Sequence, residues 1–314
     1  MTRTSYRVLA ALVMLAAPAS ADTMANLVEH ARFDIQPSGA AFKQITIDNP
    51  LGDVRVEGWD RASIEIETRK QAPSEQGLDR LHIALIPNPD GTVRLTTTAD
   101  SDRELKPLAR GAVRIDVIVR APRETRIEAA ASAGSLEVVN MDAGGDLDTA
   151  SGKISVRNVS GGLSTHSVSG ATSIAQVFGS VDAQTLSSDL DLDSIGGERL
   201  VASASHGKIA GRRVRSRDIE LTTNDGRIVL EAEASLHGRL VIASMRGDVD
   251  VRLHRHTNPI VVRARGSKVN LGGTMKSQPD GWVEARFGPA VNGTLPALVE
   301  LRSRYGMVNF VIVN

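Results

Sequence analysis

A histidine and an aspartate occur at matching points of a repeated glycine phrase, where they could do acid–base chemistry. The residue before the glycine is His206, Asp225, Arg246 and Arg265 in four copies of the phrase. If these copies stack, the side chains form a column with steps of about 4.8 Å. His206 and Asp225 are then candidate catalytic residues, and the arginines could hold an acidic sugar. The alternative, which we favour, is a polar corner with an ion pair between Asp225 and Arg246.

Two other charged sets are typical of ion or surface binding. An oxygen-rich strand face could bind calcium, and its members are Asp142, Asp146, Asp148, Asp189, Asp191 and Asp193. A basic cluster could contact anionic glycans or phospholipid headgroups, or balance nearby acids, and it contains Arg212, Arg213 and Arg215. We expect solvated strand faces and charge balance, so we assign no metal and no cofactor. The candidate binding residues are Arg246, Arg265, Arg212, Arg213 and Arg215.

Composition excludes several kinds of chemistry. The 314 residues contain 37 Lys and Arg against 37 Asp and Glu, so no strong basic field is available for nucleic acid. Because cysteine is absent, the chain has no disulfide, no thiolate zinc site and no cysteine nucleophile. Aromatic residues are 3% of the chain, so the core must be built from Val, Ile, Leu and Ala.

The elements that position these residues are predicted by an internal repeat. A phrase of glycine followed by alternating polar and apolar residues returns every 18 to 21 residues between Gly134 and Gly266. Period-two alternation, as in Ile154 and Val156 of one copy, indicates a strand buried on one face. Strands this short cannot shield that face alone, so successive copies are expected to stack as a parallel β-solenoid. The handedness of such connections favours a right-handed coil.

A second set of glycines lies about halfway through each copy, as at Gly161 and Gly179. We therefore expect two corners in each coil, where positive φ or close backbone approach favours glycine. The phrase starting at Ser188 lacks its glycine, and residues 272–297 stretch one coil.

The two ends are less regular than the middle. Residues 71–79 form a polar break, and residues 87–91 have the composition of a hairpin turn. Residues 99–112 are a charged loop. The apolar tail at 310–313 is expected inside a sheet, because an exposed tail of this kind would aggregate.

The first 21 residues have the features of a secretory signal peptide. Arg3 and Arg7 precede an apolar run over 8–17 that is too short to span a bilayer, and residues 19–21 suit a signal peptidase. We expect cleavage before Asp22 and export of the mature chain to the periplasm, the cell surface or the medium.

The strand at 115–122, the coils from Gly134 and Gly152, and the early segment at 49–60 resemble a known family. It is the bacterial β-strand-repeat domain of unknown function that is named for an inferred adhesin role. The resemblance covers roughly residues 33–313. It implies an exported β-helical protein and brings no catalytic residues to this sequence.

These features predict an all-β fold, a single-stranded, right-handed parallel β-solenoid with an irregular N-terminal cap. Its segments are a signal peptide at 1–21, a cap with first coils at 22–112, regular coils at 113–271 and an irregular closing part at 272–314. The expected function is a non-enzymatic, adhesin-like scaffold or binding module of the cell envelope, and the alternative is a β-helix carbohydrate-active enzyme. The expected partner is an envelope polysaccharide or protein, bound by a monomer without nucleic acid.

Overall fold

The structure is a computed structural model that describes residues 8–14, as backbone only, and residues 26–37, 40–100, 113–235, 237–254, 259–288 and 295–313. The chain divides into two compact units, Met1–Ser155 and Val156–Asn314. The described residues of the first unit form one helix, α1 Glu75–Asp79, and the strands β1 Val8–Met14, β2 Leu27–Ile35, β3 Gln44–Asn49, β4 Val54–Trp59, β5 Ile64–Ala72, β6 Leu81–Pro87, β7 Thr92–Ala99, β8 Arg114–Pro122, β9 Arg126–Ala131, β10 Leu136–Met141 and β11 Gly145–Thr149.

The remaining described strands continue the all-β pattern. They are β12 Ile154–Ser160, β13 Leu163–Ser167, β14 Thr172–Phe178, β15 Val181–Thr185, β16 Leu190–Ala204, β17 Ile209–Thr223, β18 Ile228–Glu233, β19 Arg239–Ser244, β20 Val249–His254, β21 Ile260–Arg265, β22 Lys268–Asn270, β23 Lys276–Ser277, β24 Val283–Phe287, β25 Ala297–Ser303 and β26 Met307–Val313. The all-β prediction is confirmed.

Matching apolar positions of neighbouring coils stack in register. Ile209 pairs with Ile228, and Ile228 pairs with Val249, in parallel ladders. All three side chains are fully buried. Asp250, the residue after Val249, lies on the other face of its strand and is partly exposed. The repeat phrase therefore sets the register, because a shift by one residue would turn every apolar side chain outward.

Close backbone approach requires the glycine that heads most of the phrases. A Cβ added at Gly226 would lie 1.7 Å from the carbonyl oxygen of Gly207, and one at Gly207 would lie 1.7 Å from the carbonyl oxygen of Ser188. At the second corner Gly179 and Gly197 combine positive φ with close backbone approach, since a Cβ would lie 1.9 Å from the Gly161 carbonyl oxygen and 2.5 Å from that of Gly179. Side chains in the same left-handed region also recur once per coil, at Asn140, Asn158, Gln176, Ser194 and Arg213.

A hydroxyl three residues before the glycine fixes the first corner. Ser244 Oγ accepts a hydrogen bond from the Gly247 amide at 2.8 Å and donates to the Gly226 carbonyl at 3.2 Å. The hydroxyl therefore makes one hydrogen bond within its own corner and one to the corner of the preceding coil. Hydroxyls at the same position that bond the corner glycine's amide are Thr149, Ser167, Thr223 and Ser303.

The coils of the first unit do not stack in chain order. Strand β3 pairs in parallel with both β7 and β9, and β4 pairs in parallel with both β8 and β10. The coil containing Gly52 therefore lies between two coils that come later in the sequence. The expectation that successive copies are always neighbours is wrong here.

The same interleaving occurs in the second unit. Strand β25 pairs in parallel with β19 and β21, and β26 pairs with β20 and β22. The first residues of β26, Met307 to Asn309, thus lie between two earlier coils. The apolar tail at 310–313 lies inside a sheet, as predicted, where it pairs with β20, and its register with β22 ends at Asn309.

Antiparallel strands also contribute, so the ladders are not purely parallel. In the first unit β2 pairs with β5 and β5 with β8, and in the second unit β24 pairs with β21. The predicted hairpin turn at 87–91 joins the antiparallel pair β6 and β7. The break at 71–79 contains α1, whose N-cap Ser74 accepts a hydrogen bond from the Gly77 amide at 3.2 Å.

The predicted signal peptide lies mostly outside the described residues. Its apolar segment forms β1, which pairs antiparallel with β2 from Val8 opposite Ile35 to Met14 opposite Glu29. Most of the predicted charged loop, at 101–112, also lies outside the described residues.

Candidate functional site

The structure brings three of the four column residues together. His206 Nδ1 lies 2.7 Å from Asp225 Oδ2, and Arg246 Nη1 lies 3.1 Å from Asp225 Oδ1. The predicted contact between Arg246 and Arg265 is wrong, because β25 lies between β19 and β21 and separates the two coils. The residue stacked beside Arg246 is Tyr305, because the Arg304 and Tyr305 amides donate to the carbonyls of Ser244 and Met245.

The His206–Asp225 pair has the geometry of a polar corner. The His206 side chain is 59% exposed and that of Asp225 is 31% exposed. Because Asp225 also binds Arg246, its carboxylate is shared between two partners. Such a group holds two coils together in solvent, whereas an acid–base site also needs a cleft to orient a substrate.

Each arginine of the basic cluster forms an ion pair with an acidic residue. The pairs are Arg212 with Asp191, Arg213 with Asp193 and Arg215 with Glu233. Each joins neighbouring strands on an exposed surface, which is the charge balance expected from the sequence. Exposed pairs of this kind contribute about 0–1 kcal/mol each, so they mainly set the polarity of the surface.

Four aspartates of the oxygen-rich face pair with arginines, namely Asp142, Asp146, Asp191 and Asp193. Besides these four, Asp189 accepts a hydrogen bond from the Lys208 amide at 2.8 Å. In the first unit Asp142 pairs with Arg123 at 2.9 Å. Within the described ranges no group of three or more His, Asp or Glu side chains is placed to hold a metal ion.

An open cavity of about 750 Å³ in the second unit has three arginines on its wall, Arg265, Arg302 and Arg304. The rest of the wall is mainly small and polar, and it includes Thr222, Thr223, Asn224, Ala243, Ser244, Met245, Gly266 and Ser303. This cavity, called the arginine cavity below, contains one sequence-predicted binding residue, Arg265.

A difference in turn length helps to shape the arginine cavity. Arg265 pairs with Arg302, and Lys268 pairs with Met307. Two residues therefore lie between the paired positions Arg265 and Lys268, while four lie between Arg302 and Met307. The shorter turn leaves Arg304 without a counterpart on the neighbouring coil, so space opens at this corner.

Sequence reasoning missed Arg302 and Arg304. The signal was present, since the phrase headed by Gly306 is preceded by two arginines in Arg-Ser-Arg-Tyr. If the coils stacked in chain order, this coil would belong to the closing part after residue 271 and would not contact β19, so the two arginines were not considered.

The first unit has a charged corner of its own around Asp53. Asp53 accepts a hydrogen bond from the Ser135 amide at 2.8 Å and binds Arg114 at 2.6 Å. Burial raises the pKa of Asp53, but the Ser135 amide and the Arg114 guanidinium outweigh it and hold the pKa below its ordinary value of 3.8. The ionised carboxylate is therefore the form that the folded corner prefers.

This shift predicts an acid-dependent contribution to stability. A carboxylate with a lowered folded pKa stabilises the protein above its unfolded pKa, and this stabilisation is lost as pH falls through the folded value. Asp53→Asn should therefore be less stable than the wild type near about pH 7, and the difference should shrink below about pH 4. Urea denaturation at a series of pH values measures this difference.

The matched control is Asp48→Asn. Asp48 is an exposed residue of the neighbouring strand β3, and the described structure gives it no hydrogen bond or ion pair. Its substitution should leave the pH dependence of unfolding unchanged. A pH-independent gap between wild type and Asp53→Asn would contradict the role given to the Asp53 charge.

Fold and site together define a class, an all-β repeat protein with glycine-headed coils, matched surface charges and a basic cavity. The chain belongs to the Toastrack DUF4097 family, whose sequence profile matches residues 42–269. This agrees with the β-strand-repeat resemblance seen in the sequence. No curated protein matches the chain.

Several solved structures are similar in fold. An inferred lipid-binding protein from Parabacteroides distasonis ATCC 8503 has 10% identity over 91% of this chain and 97% of its own, with a TM-score of 0.51. An inferred adhesin from Bacteroides fragilis NCTC 9343 has 11% identity over 90% and 97%, with a TM-score of 0.42. At these identities the likeness concerns the fold alone. Among the described residues, the helix is too short to cross a membrane.

Proposed function

We propose that this protein is an exported, non-enzymatic, adhesin-like scaffold or binding module of the cell envelope. The observation that carries the proposal is the pairing of charges across neighbouring strands. Arginines such as Arg213 and Arg227 are held by acids of an adjacent strand, Asp193 and Asp250. A surface fixed in this way is preorganised, so a partner can bind it without ordering its side chains first.

The stacking of the coils supports the same proposal. Repeats that contact their neighbours build extended surfaces suited to large partners. In-register parallel ladders in each unit are what a right-handed solenoid requires, and we propose that architecture for the coils. The expected partner is an envelope polysaccharide or an envelope protein.

The alternative is a β-helix carbohydrate-active enzyme, and the His206–Asp225 contact is the observation that favours it. Its test is an assay of the mature chain for release of reducing ends from acidic polysaccharides. We expect no release. Cleavage by the wild type that His206→Ala abolishes, in a variant with unchanged unfolding behaviour, would replace the scaffold proposal with the enzymatic one.

The scaffold proposal is tested with the mature chain starting at Asp22. Fluorescently labelled protein is sedimented with outer-membrane vesicles and with purified peptidoglycan. We expect saturable binding to one fraction that unlabelled protein displaces. Binding that never saturates, or that heat-denatured protein reproduces, would contradict a specific envelope partner.

A further inference from the structure

The arginine cavity contains an arrangement that is unlike the charge pairing around it. Arg265 and Arg302 are direct register partners on adjacent parallel strands, which lie about 4.8 Å apart. Like charges placed directly opposite each other destabilise a sheet. In the same unit Arg246 and Arg227 each meet an acid instead.

The described part of the chain supplies no acidic partner for this group. None of Arg265, Arg302 and Arg304 forms an ion pair with a described residue. Glu300 is the nearest acid in sequence, but its register partner on β21 is Arg263. Arg263 also lies 3.8 Å from Asp280. The three arginines are exposed, so the positive charge of the cavity is available to an anionic ligand.

The wall is shaped to present these arginines. On the other side of Arg302 the register partner is Ala243, and the partner of Ala243 is Thr222. The small alanine leaves a recess beside Arg302. The Arg304 guanidinium lies 5.3 Å from the ring centre of Tyr305, which orients it at the corner.

We propose that the arginine cavity binds a phosphate monoester group. This proposal names a ligand class for the binding module proposed above, and it rests on that proposed function. Three guanidinium groups match a dianion better than a single carboxylate. Planar guanidinium groups donate pairs of parallel hydrogen bonds to phosphate oxygens.

Additional donors come from the polar wall. The Ser244 and Ser303 hydroxyls already donate to the carbonyls of Gly226 and Gly247. Thr223 also donates to a carbonyl, that of Gly207, so the exposed Thr222 and Asn224 are the wall side chains left to donate to a ligand.

The size of the cavity indicates a phosphate ester rather than free phosphate. Its volume of about 750 Å³ lies within the range of about 300–1,000 Å³ that holds organic ligands. The phosphoryl group would bind between Arg265 and Arg302, and the esterified group would occupy the recess at Ala243. Both a lipid headgroup and a phosphorylated sugar carry this chemistry.

The test measures binding of glucose phosphate to the mature chain by calorimetry and by the shift in melting temperature. We expect saturable binding that raises the melting temperature. Arg265→Gln and Arg302→Gln should each weaken binding by about tenfold or more, because each removes a charge-assisted pair of hydrogen bonds. The matched control is Arg227→Gln, since Arg227 is an exposed arginine paired with Asp250 at 2.7 Å.

A second readout separates ligand binding from a structural role. Without ligand, Arg265→Gln should melt at or above the wild-type temperature, because it removes repulsion between neighbouring guanidinium groups. A lower melting temperature for this variant, or equal affinity of all variants for glucose phosphate, would overturn the proposal. The proposal would also be overturned if the wild type bound neither glucose phosphate nor vesicles that contain phosphatidic acid.

Vesicles distinguish the sources of the phosphate. Phosphatidylcholine vesicles with and without phosphatidic acid are sedimented with the protein. Binding only in the presence of phosphatidic acid supports a lipid headgroup, and binding of glucose phosphate without vesicle binding supports a soluble ester. If Arg265→Gln keeps the wild-type affinity for glucose phosphate while both proteins bind an envelope fraction, the cavity proposal fails and the scaffold proposal stands. If the wild type binds glucose phosphate but no envelope fraction, the scaffold proposal fails instead.

Discussion

Replacing Gly226 with alanine is expected to unfold the second unit or to cost it most of its stability. The new Cβ would lie 1.7 Å from the Gly207 carbonyl oxygen and 2.5 Å from its carbonyl carbon. These atoms are backbone held in a ladder, so they cannot move aside as a side chain would. Overpacking commonly costs about 1–3 kcal/mol, and a main-chain clash should exceed the upper value. Urea denaturation followed by circular dichroism measures the loss.

Gly162→Ala is the matched control for this prediction. A Cβ at Gly162 would meet nothing within 4 Å, and Gly162 does not adopt positive φ. The substitution should change the free energy of unfolding by less than about 0.5 kcal/mol. Equal losses for the two variants would show that glycine content, and not the approach of neighbouring coils, explains the phrase.

Much of the fold could be predicted because its signals are local. The alternation around Ile228 specifies which side chains are buried, and the spacing of the glycines specifies which positions align. The turn at 87–91 likewise carries its own composition. Even the left-handed positions had a partial signal, since Asn140 and Asn158 are residues that tolerate positive φ. Gln176 and Arg213 occupy the same position without any such preference, so the column could not be recognised.

The order of the coils could not be predicted because every copy carries the same phrase. A coil headed by Gly247 satisfies the pattern equally well beside the coil of Gly266 or that of Gly306. The pattern fixes register but not the identity of the neighbour, which depends on how the ends of each unit close their open edges. The pairing of Arg265 with Arg302 follows from this choice, so the arginine cavity could not be found from the sequence alone.

Replacing Phe310 with alanine should be the most damaging side-chain truncation in the inserted C-terminal strand. Phe310 is fully buried, it pairs in register with Val251, and its ring centre lies 5.7 Å from that of Phe287. Truncation of a buried phenylalanine costs about 3–5 kcal/mol, from lost burial and from the cavity left behind. The free energy of unfolding in urea measures the cost.

The adjacent residue Val311 provides the control, because it is on the same strand but is 48% exposed. Val311→Ala should cost less than about 1 kcal/mol. A strand that only covered the end of the unit would give similar, small losses for Phe310→Ala and Val311→Ala. A large difference between them is expected, because Phe310 points inward, beside Val251 and the Phe287 ring, whereas Val311 lies on the outer face of β26.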